Sequence, residues 1–276
     1  MALDGDNMAR QSGVKSIRAL ERGLDVLLAI RAAGTEGLGL NALHQRLGLP
    51  KATLLRLLQT LASRRLVWRR LADGVWLPGA AGAATPDRVC RMAEIASPLL
   101  VELSAQVVWP SVIAIPRFDH MEIIETNGQV ARFDFAALGP VGAKLSYLHT
   151  ATGRAYLSAC ADAERDAIIA RLTPPGATSE QREQIDAIIA QTRQRGWSTR
   201  LPHHPWSDRD RQTVLRDGKN SIAVAVNGEN GPIAAINITW PARRAVVEEV
   251  ALRHLSSLQG IAARIGALVD GSSFAR

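Results

Sequence analysis

Apolar residues recur with helical spacing along the start of the chain. Between Ile17 and Leu28 they fall three and four positions apart, which predicts a first helix over residues 16–33. Gly34 follows directly, and glycine is a frequent residue just beyond a helix end. We therefore expect an amphipathic helix that buries one face.

A second and a third helix follow at close spacing. The second is predicted over residues 41–47, and Gly48 then turns the chain. Pro50 stands where proline favours the first turn of a helix, so the third helix is predicted over residues 51–64. A short helix, a tight turn with glycine and a longer helix form a helix-turn-helix.

Two short β-prone runs come next. Residues 66–70 and 75–77 flank Asp73 and Gly74, a pair typical of a hairpin turn. Both tryptophans of these runs, Trp68 and Trp76, are expected to pack beneath the hairpin. A helix-turn-helix followed by a hairpin is a winged helix-turn-helix.

The second half of the chain mixes strands and helices. Residues 227–231 are rich in asparagine and glycine and predict a tight turn between the last two strands. The fold class is therefore α+β with a largely antiparallel sheet. The predicted elements are a helix at 87–106 that is broken or bent near Pro98, strands at 111–115 and 121–126, helices at 150–160, 162–172 and 179–195, strands at 221–226 and 232–239, and a helix at 243–269.

The pattern divides the chain into two domains and a connection. We expect a disordered tail at 1–13, a winged helix-turn-helix at 14–80, a linker and connecting helix at 81–106, a sensor domain at 107–270 and a short tail at 271–276.

Composition places the chain among globular proteins. Apolar residues make up 47% of it and charged residues 21%. We expect a cytoplasmic protein, because no apolar run is long enough for a bilayer and the first 16 residues lack a signal peptide's apolar middle. Cys90 and Cys160 are predicted to be small core residues and not a disulfide framework.

Positive charge is concentrated in the predicted winged helix. Residues 1–80 hold twelve Lys and Arg against six Asp and Glu, whereas the rest holds twenty-one against twenty. A phosphate backbone would therefore be attracted to the first third of the chain. A basic, solubilising surface is the alternative interpretation.

The third helix has the chemistry to read DNA bases. Its exposed face is predicted to carry Arg56 for guanine, Gln59 for adenine and Thr53 for a base or phosphate. Lys51 and the start of the helix suit a phosphate, and Arg18 and Arg22 on the first helix could touch the DNA backbone. The other candidate DNA-binding positions are Ala52 on the same helix face and Arg69 and Arg70 on the wing. The alternative is an ordinary solvated face.

Other constellations are weaker. His203 and His204 could bind a metal with His149 or His120, but no ligand spacing supports a standard site, and no cofactor is expected. Glu125 and Asp119 are interpreted as ordinary strand-end charges and not as an acid–base pair. Trp109, Trp197 and Trp240 could line an aromatic pocket, although core packing is the simpler interpretation.

Several segments resemble the IclR family of regulators. They are residues 14–27, similar to the family's opening helix; residues 48–61, similar to its recognition helix; residues 150–155, Thr-Ala-Thr-Gly-Arg-Ala, similar to its Thr-Ala-x-Gly-Lys-Ala motif; and residues 221–226 and 235–239, similar to its late strands. Residues 107–110 look nearest to the MhpR-type branch, which regulates hydroxyphenylpropionate degradation, whereas residues 201–219 depart from it.

The resemblance implies a GAF-like sensor domain, dimers that pair into tetramers, and palindromic operator DNA as partner. It also implies effector contacts, carried over by position, at Ala151, Thr152, Ser221, Ile236, Asn237 and Thr239.

The residues themselves allow two interpretations of that site. Asn237 and Thr239 are two apart on a strand and share a face, which is either a ligand pocket or the solvent side of the sheet. A helix that begins near Thr150 would favour an anionic ligand at its N-terminus, such as a small organic acid.

We expect a DNA-binding transcription regulator of a catabolic operon that senses a small organic acid, aromatic in class, and has no catalytic activity. An enzyme with a DNA-binding appendage and a winged-helix protein-interaction module remain as alternatives.

Overall fold

The computed structural model describes residues 17–81, 87–130, 139–200 and 218–271. Packing divides the chain into two units, the first formed by Met1–Trp68 and Trp76–Gly82 and the second by Arg69–Val75 and Ala83–Arg276. No helix in the described ranges is both long and apolar enough to cross a membrane.

The first unit is a three-helix bundle with a hairpin. Its elements are α1 (Arg18–Ala33), α2 (Leu40–Leu47), α3 (Lys51–Ser63), β1 (Val67–Arg69) and β2 (Trp76–Pro78). The two strands form a two-stranded sheet, so the predicted winged helix-turn-helix is confirmed. The core side chains that are fully buried come from all three helices and include Val26, Ile30, Leu43, Leu54 and Leu58.

The second unit is a six-stranded antiparallel sheet with helices. In chain order it contains α4 (Arg88–Gln106), β3 (Val112–Pro116), β4 (Met121–Thr126), β5 (Lys144–Leu145), α5 (Ala151–Ala159), α6 (Asp162–Leu172), α7 (Ser179–Arg195), β6 (Ser198–Thr199), β7 (Lys219–Gly228), β8 (Gly231–Pro241) and α8 (Val247–Gly271). The strands lie in the order β5-β4-β3-β8-β7-β6. The α+β class and the GAF-like arrangement are confirmed.

Helices cover both faces of the sheet. On one face, α5 contacts β7 and β8, and small residues such as Ala223 and Ala235 let the helix approach closely. On the other face, α8 packs on β7 and β8 and also contacts α4. Alternate residues of β7 and β8 therefore point to different helices.

Most predicted boundaries agree with the structure within a few residues, and three differences stand out. The helix α4 runs through Pro98 without interruption, α8 begins at Val247 and not at 243, and the two-residue strands β5 and β6 were not predicted. A strand of two residues is too short to show an alternating pattern. The predicted tails, Ser16 and residues 201–217 lie outside the described residues.

Candidate functional site

The third helix presents the predicted polar face to solvent. Leu54 and Leu58 are fully buried against the other helices. On the opposite side Lys51, Ala52, Arg56 and Gln59 are exposed, and Thr53 is half-buried. The side chains that were predicted to read bases are therefore available at the surface of the first unit.

The turn before α3 is held in place by local interactions. Gly48 caps α2 in a left-handed conformation with φ of 65°, which other residues adopt only with strain. His44 bonds through Nδ1 to the Leu49 carbonyl at 2.8 Å. No side chain caps the start of α3, so its first N–H groups are free to meet an anion.

The flanking arginines differ in their surroundings. Arg18 and Arg22 are exposed on α1. Arg69 donates from Nε to the Gly74 carbonyl at 3.1 Å. Arg70 binds both carboxylate oxygens of Asp73, and this hydrogen bond raises the pKa of Arg70. The wing arginines thus already have partners in the hairpin, which holds their side chains in defined positions.

The predicted effector strand residues lie beneath α5. Ser221, Asn237 and Thr239 share a sheet face with Ala223 and are each at most 6% exposed. The solvent-side interpretation of this face is therefore wrong. The Ile236 side chain is fully buried on the opposite face of the sheet. Only its backbone can contribute to the face beneath α5.

Asn237 already has protein partners. Its Oδ1 accepts from the Val112 N–H at 2.9 Å, and its Nδ2 donates to Thr239 Oγ1 at 3.2 Å. These bonds use one acceptor position and one N–H donor of the amide without a ligand, so Asn237 and Thr239 are held in place beneath α5.

The start of α5 approaches this wall. Thr150 caps the helix by accepting from the Gly153 N–H at 3.0 Å. A side chain at Gly153 would collide with the backbone of Ser146 and Tyr147, so glycine lets the helix start lie against that segment. Ala151 and Thr152 are almost completely buried, and within the described residues their N–H groups have no acceptor.

The buried positive charge of Arg154, near the start of α5, was not predicted from the sequence. Arg154 is only 2% exposed, and Nη1 donates to the carbonyls of Leu148 and His149 at 2.7 and 2.8 Å. Burial, together with Arg195 and Arg200, lowers the pKa of Arg154 to about 9. Arg154 appeared in the predicted motif, but an amphipathic pattern cannot show that a cation is buried.

A cavity of about 680 Å³ opens at the other end of α5. Its walls include Ser158, Arg193, Trp197, Asn227 and Gln259. None of the predicted effector residues lines it. The cavity and the start of α5 are therefore two separate candidate sites within the second unit.

Glu125 departs from its predicted role. It is fully buried and accepts from the N–H groups of Leu71 and Ala72 and from Ser97 Oγ, at 2.8, 2.9 and 2.6 Å. The description as an ordinary strand-end charge is therefore wrong for Glu125. Asp119 does match it, since its carboxylate is exposed and pairs with His120.

Two of the other candidates, Cys160 and Trp240, are packed within the protein. Burial raises the pKa of the Cys160 thiol to about 12, so the thiolate needed for reactivity is absent near neutral pH. The Trp240 side chain is completely buried, and its Nε1 donates to the Ala245 carbonyl. Among the described residues no cluster could hold a metal ion, and His203 and His204 lie outside them.

Comparison with known proteins supports both halves of this architecture. Residues 19–70 match the model of the IclR helix-turn-helix domain, and residues 89–267 match that of the bacterial transcriptional regulator IclR C-terminal domain. The chain is 26% identical over 244 residues to the acetate operon repressor of Salmonella typhimurium, and the match covers 85% of this chain and 84% of that protein.

Solved structures share the fold at lower identity. The IclR protein of Thermotoga maritima is 16% identical, with a TM-score of 0.54, over 91% of this chain and 98% of that one. An IclR homologue from Microbacterium hydrocarbonoxydans, solved with 4-hydroxybenzoate, is 18% identical with a TM-score of 0.52, over 92% and 99% of the two chains. Because family models match both its winged helix and its C-terminal domain, the chain belongs to the IclR family of bacterial transcriptional regulators.

Proposed function

We propose that this regulator controls a catabolic operon by placing α3 in the major groove of an operator and by binding a small organic acid beside α5. The observation that carries the proposal is the exposed face of α3, where Arg56 and Gln59 stand on a helix anchored by Leu54 and Leu58. The Arg56 guanidinium can donate two hydrogen bonds to guanine, and the Gln59 amide can both donate to and accept from adenine.

The remaining DNA contacts follow from charge. Lys51, Ala52 and the uncapped start of α3 bind a phosphate, while Thr53 reaches a base or a phosphate. Arg18 and Arg22 contact the backbone from α1, and Arg69 and Arg70 contact it from the wing. These contacts supply affinity that depends on salt but carry no base preference.

The effector is a small organic acid, and aromatic acids are the class we expect. The uncapped N–H groups of Ala151 and Thr152 and the polar wall of Ser221, Asn237 and Thr239 support this class. The complex of a related protein with 4-hydroxybenzoate also favours it. A hydroxyphenylpropionate, the class of compound whose degradation the MhpR-type branch regulates, fits the same description.

Effector and DNA act on one another through linkage. The acid binds one conformation of a homodimer or tetramer more tightly than another, and the two conformations differ in affinity for the operator. By reciprocity the operator changes acid affinity by the same factor.

A gel-shift titration on the DNA beside the chain's own gene tests this function. We expect tight binding that weakens steeply with salt and changes when benzoate or 4-hydroxybenzoate is added. Failure to bind this or any candidate operator would instead favour a protein-interaction module, and turnover of an added acid would favour an enzyme.

A further inference from the structure

The start of α5 holds a buried positive charge that the described residues do not neutralise. Arg154 is 2% exposed, and the charged groups that act on it are Arg195 and Arg200, both positive. Its Nη2 is buried and has no hydrogen-bond partner among the residues that the structure describes. A buried guanidinium with an unpaired donor is costly, so such a group points to a partner supplied from outside the protein.

The unpaired donors belong to the same short stretch of chain at the start of α5. Nη1 of Arg154 reaches back to the Leu148 and His149 carbonyls, which puts the guanidinium beside the segment that enters α5. The N–H groups of Ala151 and Thr152, at the positive end of the helix, belong to the same entry. The Ser198 hydroxyl donates to the Ala151 carbonyl, so β6 borders the site as well.

Neighbouring strands complete the surroundings. The Arg200 N–H donates to the Ser221 carbonyl at 3.2 Å. Ser198 pairs with Ala223, and Ser221 pairs with Thr239, so these side chains share the sheet face that α5 covers. The site therefore combines a buried guanidinium, a helix N-terminus and a polar wall, which together favour a carboxylate over a neutral ligand.

We propose that Arg154 is the residue that recognises the carboxylate of the effector, pairing with it through Nη2 while the first turn of α5 donates from Ala151 and Thr152. The assignment rests on the proposed effector function, because it names the cation for the same site. It also excludes the cavity near Arg193 as the place where the carboxylate binds.

The alternative role for Arg154 is purely structural. Its bonds to Leu148 and His149 could serve only to hold the loop before α5. That role affects stability but gives no reason to prefer an acid over its amide. The acid–amide preference is therefore the readout that separates recognition from structure.

Isothermal titration of the full chain with benzoate, 4-hydroxybenzoate and acetate, each beside its matched amide, tests the assignment. We expect wild type to prefer the acids, and Arg154→Gln to lose about 10- to 100-fold in acid affinity, the range of a charge-assisted hydrogen bond, while amide affinity stays the same. Arg154→Lys should keep part of the preference because it keeps the charge. Circular dichroism checks that each variant folds.

Arg193→Gln is the matched control, since Arg193 lies at the opposite end of α5 and lines the cavity. It should bind acids as wild type does. The assignment is overturned if Arg154→Gln keeps the acid preference, if Arg193→Gln loses it instead, or if wild type binds none of the carboxylates. Acids that bind through Arg154 but leave operator binding unchanged would refute the regulatory function and leave the assignment standing.

Discussion

At the scale of single residues, exposure was predicted correctly for α3 but not for α1, where Leu20, Leu24 and Leu28 of the predicted apolar face are exposed. The periodicity of α3 sufficed to place Arg56 and Gln59 outside and Leu54 and Leu58 inside. The buried charges were not predicted, because a hydropathy pattern does not show which backbone groups will surround a polar side chain. Glu125 and Arg154 are the two instances.

Glu125 is expected to be a large contributor to stability. Replacing it with alanine leaves the N–H groups of Leu71 and Ala72 and the Ser97 hydroxyl without their acceptor. Unsatisfied donors cost about 1–3 kcal/mol each, so Glu125→Ala should lower the free energy of unfolding by about 3 kcal/mol or more in a denaturant titration. Glu122→Ala, on the same strand but in a surface pair with Arg117, should cost less than about 1 kcal/mol.

If Glu125→Ala and Glu122→Ala lower the free energy of unfolding equally, the buried hydrogen bonds of Glu125 do not stabilise the protein more than a surface ion pair does. The comparison is informative because both residues lie on β4 and both substitutions remove the same atoms.

Carboxylate binding should depend on pH through Arg154. Burial, Arg195 and Arg200 lower the pKa of Arg154 to about 9, and His149 is the other ionisable residue beside its guanidinium. The cation is therefore present at neutral pH and is lost as the pH rises through about 9. We expect affinity for benzoate to fall across that range in wild type and to stay flat there in Arg154→Gln, as measured by titration calorimetry.

An ordinary arginine would stay charged throughout this range. A wild-type affinity that is constant up to pH values well above 9 would therefore contradict the lowered pKa of Arg154, and the comparison with Arg154→Gln at neutral pH would then test its role in binding the acid.

At the scale of elements, helices with a clear sequence pattern were predicted correctly, whereas strands of two residues were not predicted. The sequence was sufficient for α6 and α7, whose predicted ends agree with the structure. The strands β5 and β6 exist because longer neighbours offer them hydrogen bonds, and this is a tertiary effect that local propensity cannot show.

Packing of α8 on β7 depends on one glycine. A side chain at Gly266 would overlap the Asn227 carbonyl, whereas one at Gly260, on the same helix, would meet open space. Gly266→Ala should therefore destabilise the protein by about 1–3 kcal/mol, and Gly260→Ala should stabilise it by about 0.5–1 kcal/mol. Scanning calorimetry measures both changes.

Because the two variants add the same methyl group to one helix, helix propensity alone would move them in the same direction. A rise in melting temperature for Gly266→Ala would mean that α8 can move away from β7 without cost.

At the scale of the whole molecule, charge distribution and element order were enough to predict the architecture. The excess of positive charge lies in the first 80 residues, and family models match both units. The effector's identity was not predictable, because the proposed site is formed by side chains from α5, β6, β7 and β8 that are far apart in the chain.

Salt dependence should separate backbone contacts from base contacts. Arg22→Ala removes one phosphate contact from α1, so the slope of log affinity against log salt should become shallower by about 0.9 while base preference is kept. Arg243→Ala, an exposed arginine outside the winged helix, should leave the slope unchanged. A shallower slope in both variants would indicate attraction to the whole surface and not to the first unit.

The most direct test of the central claim is a double-mutant cycle between α3 and the operator. Wild type and Arg56→Ala are titrated against an operator and against versions with single guanine substitutions. We expect Arg56→Ala to weaken binding by about 1–3 kcal/mol and to become indifferent to one guanine that wild type requires. If Arg56→Ala keeps wild-type affinity and the same preference at every guanine, α3 does not read the operator through this face.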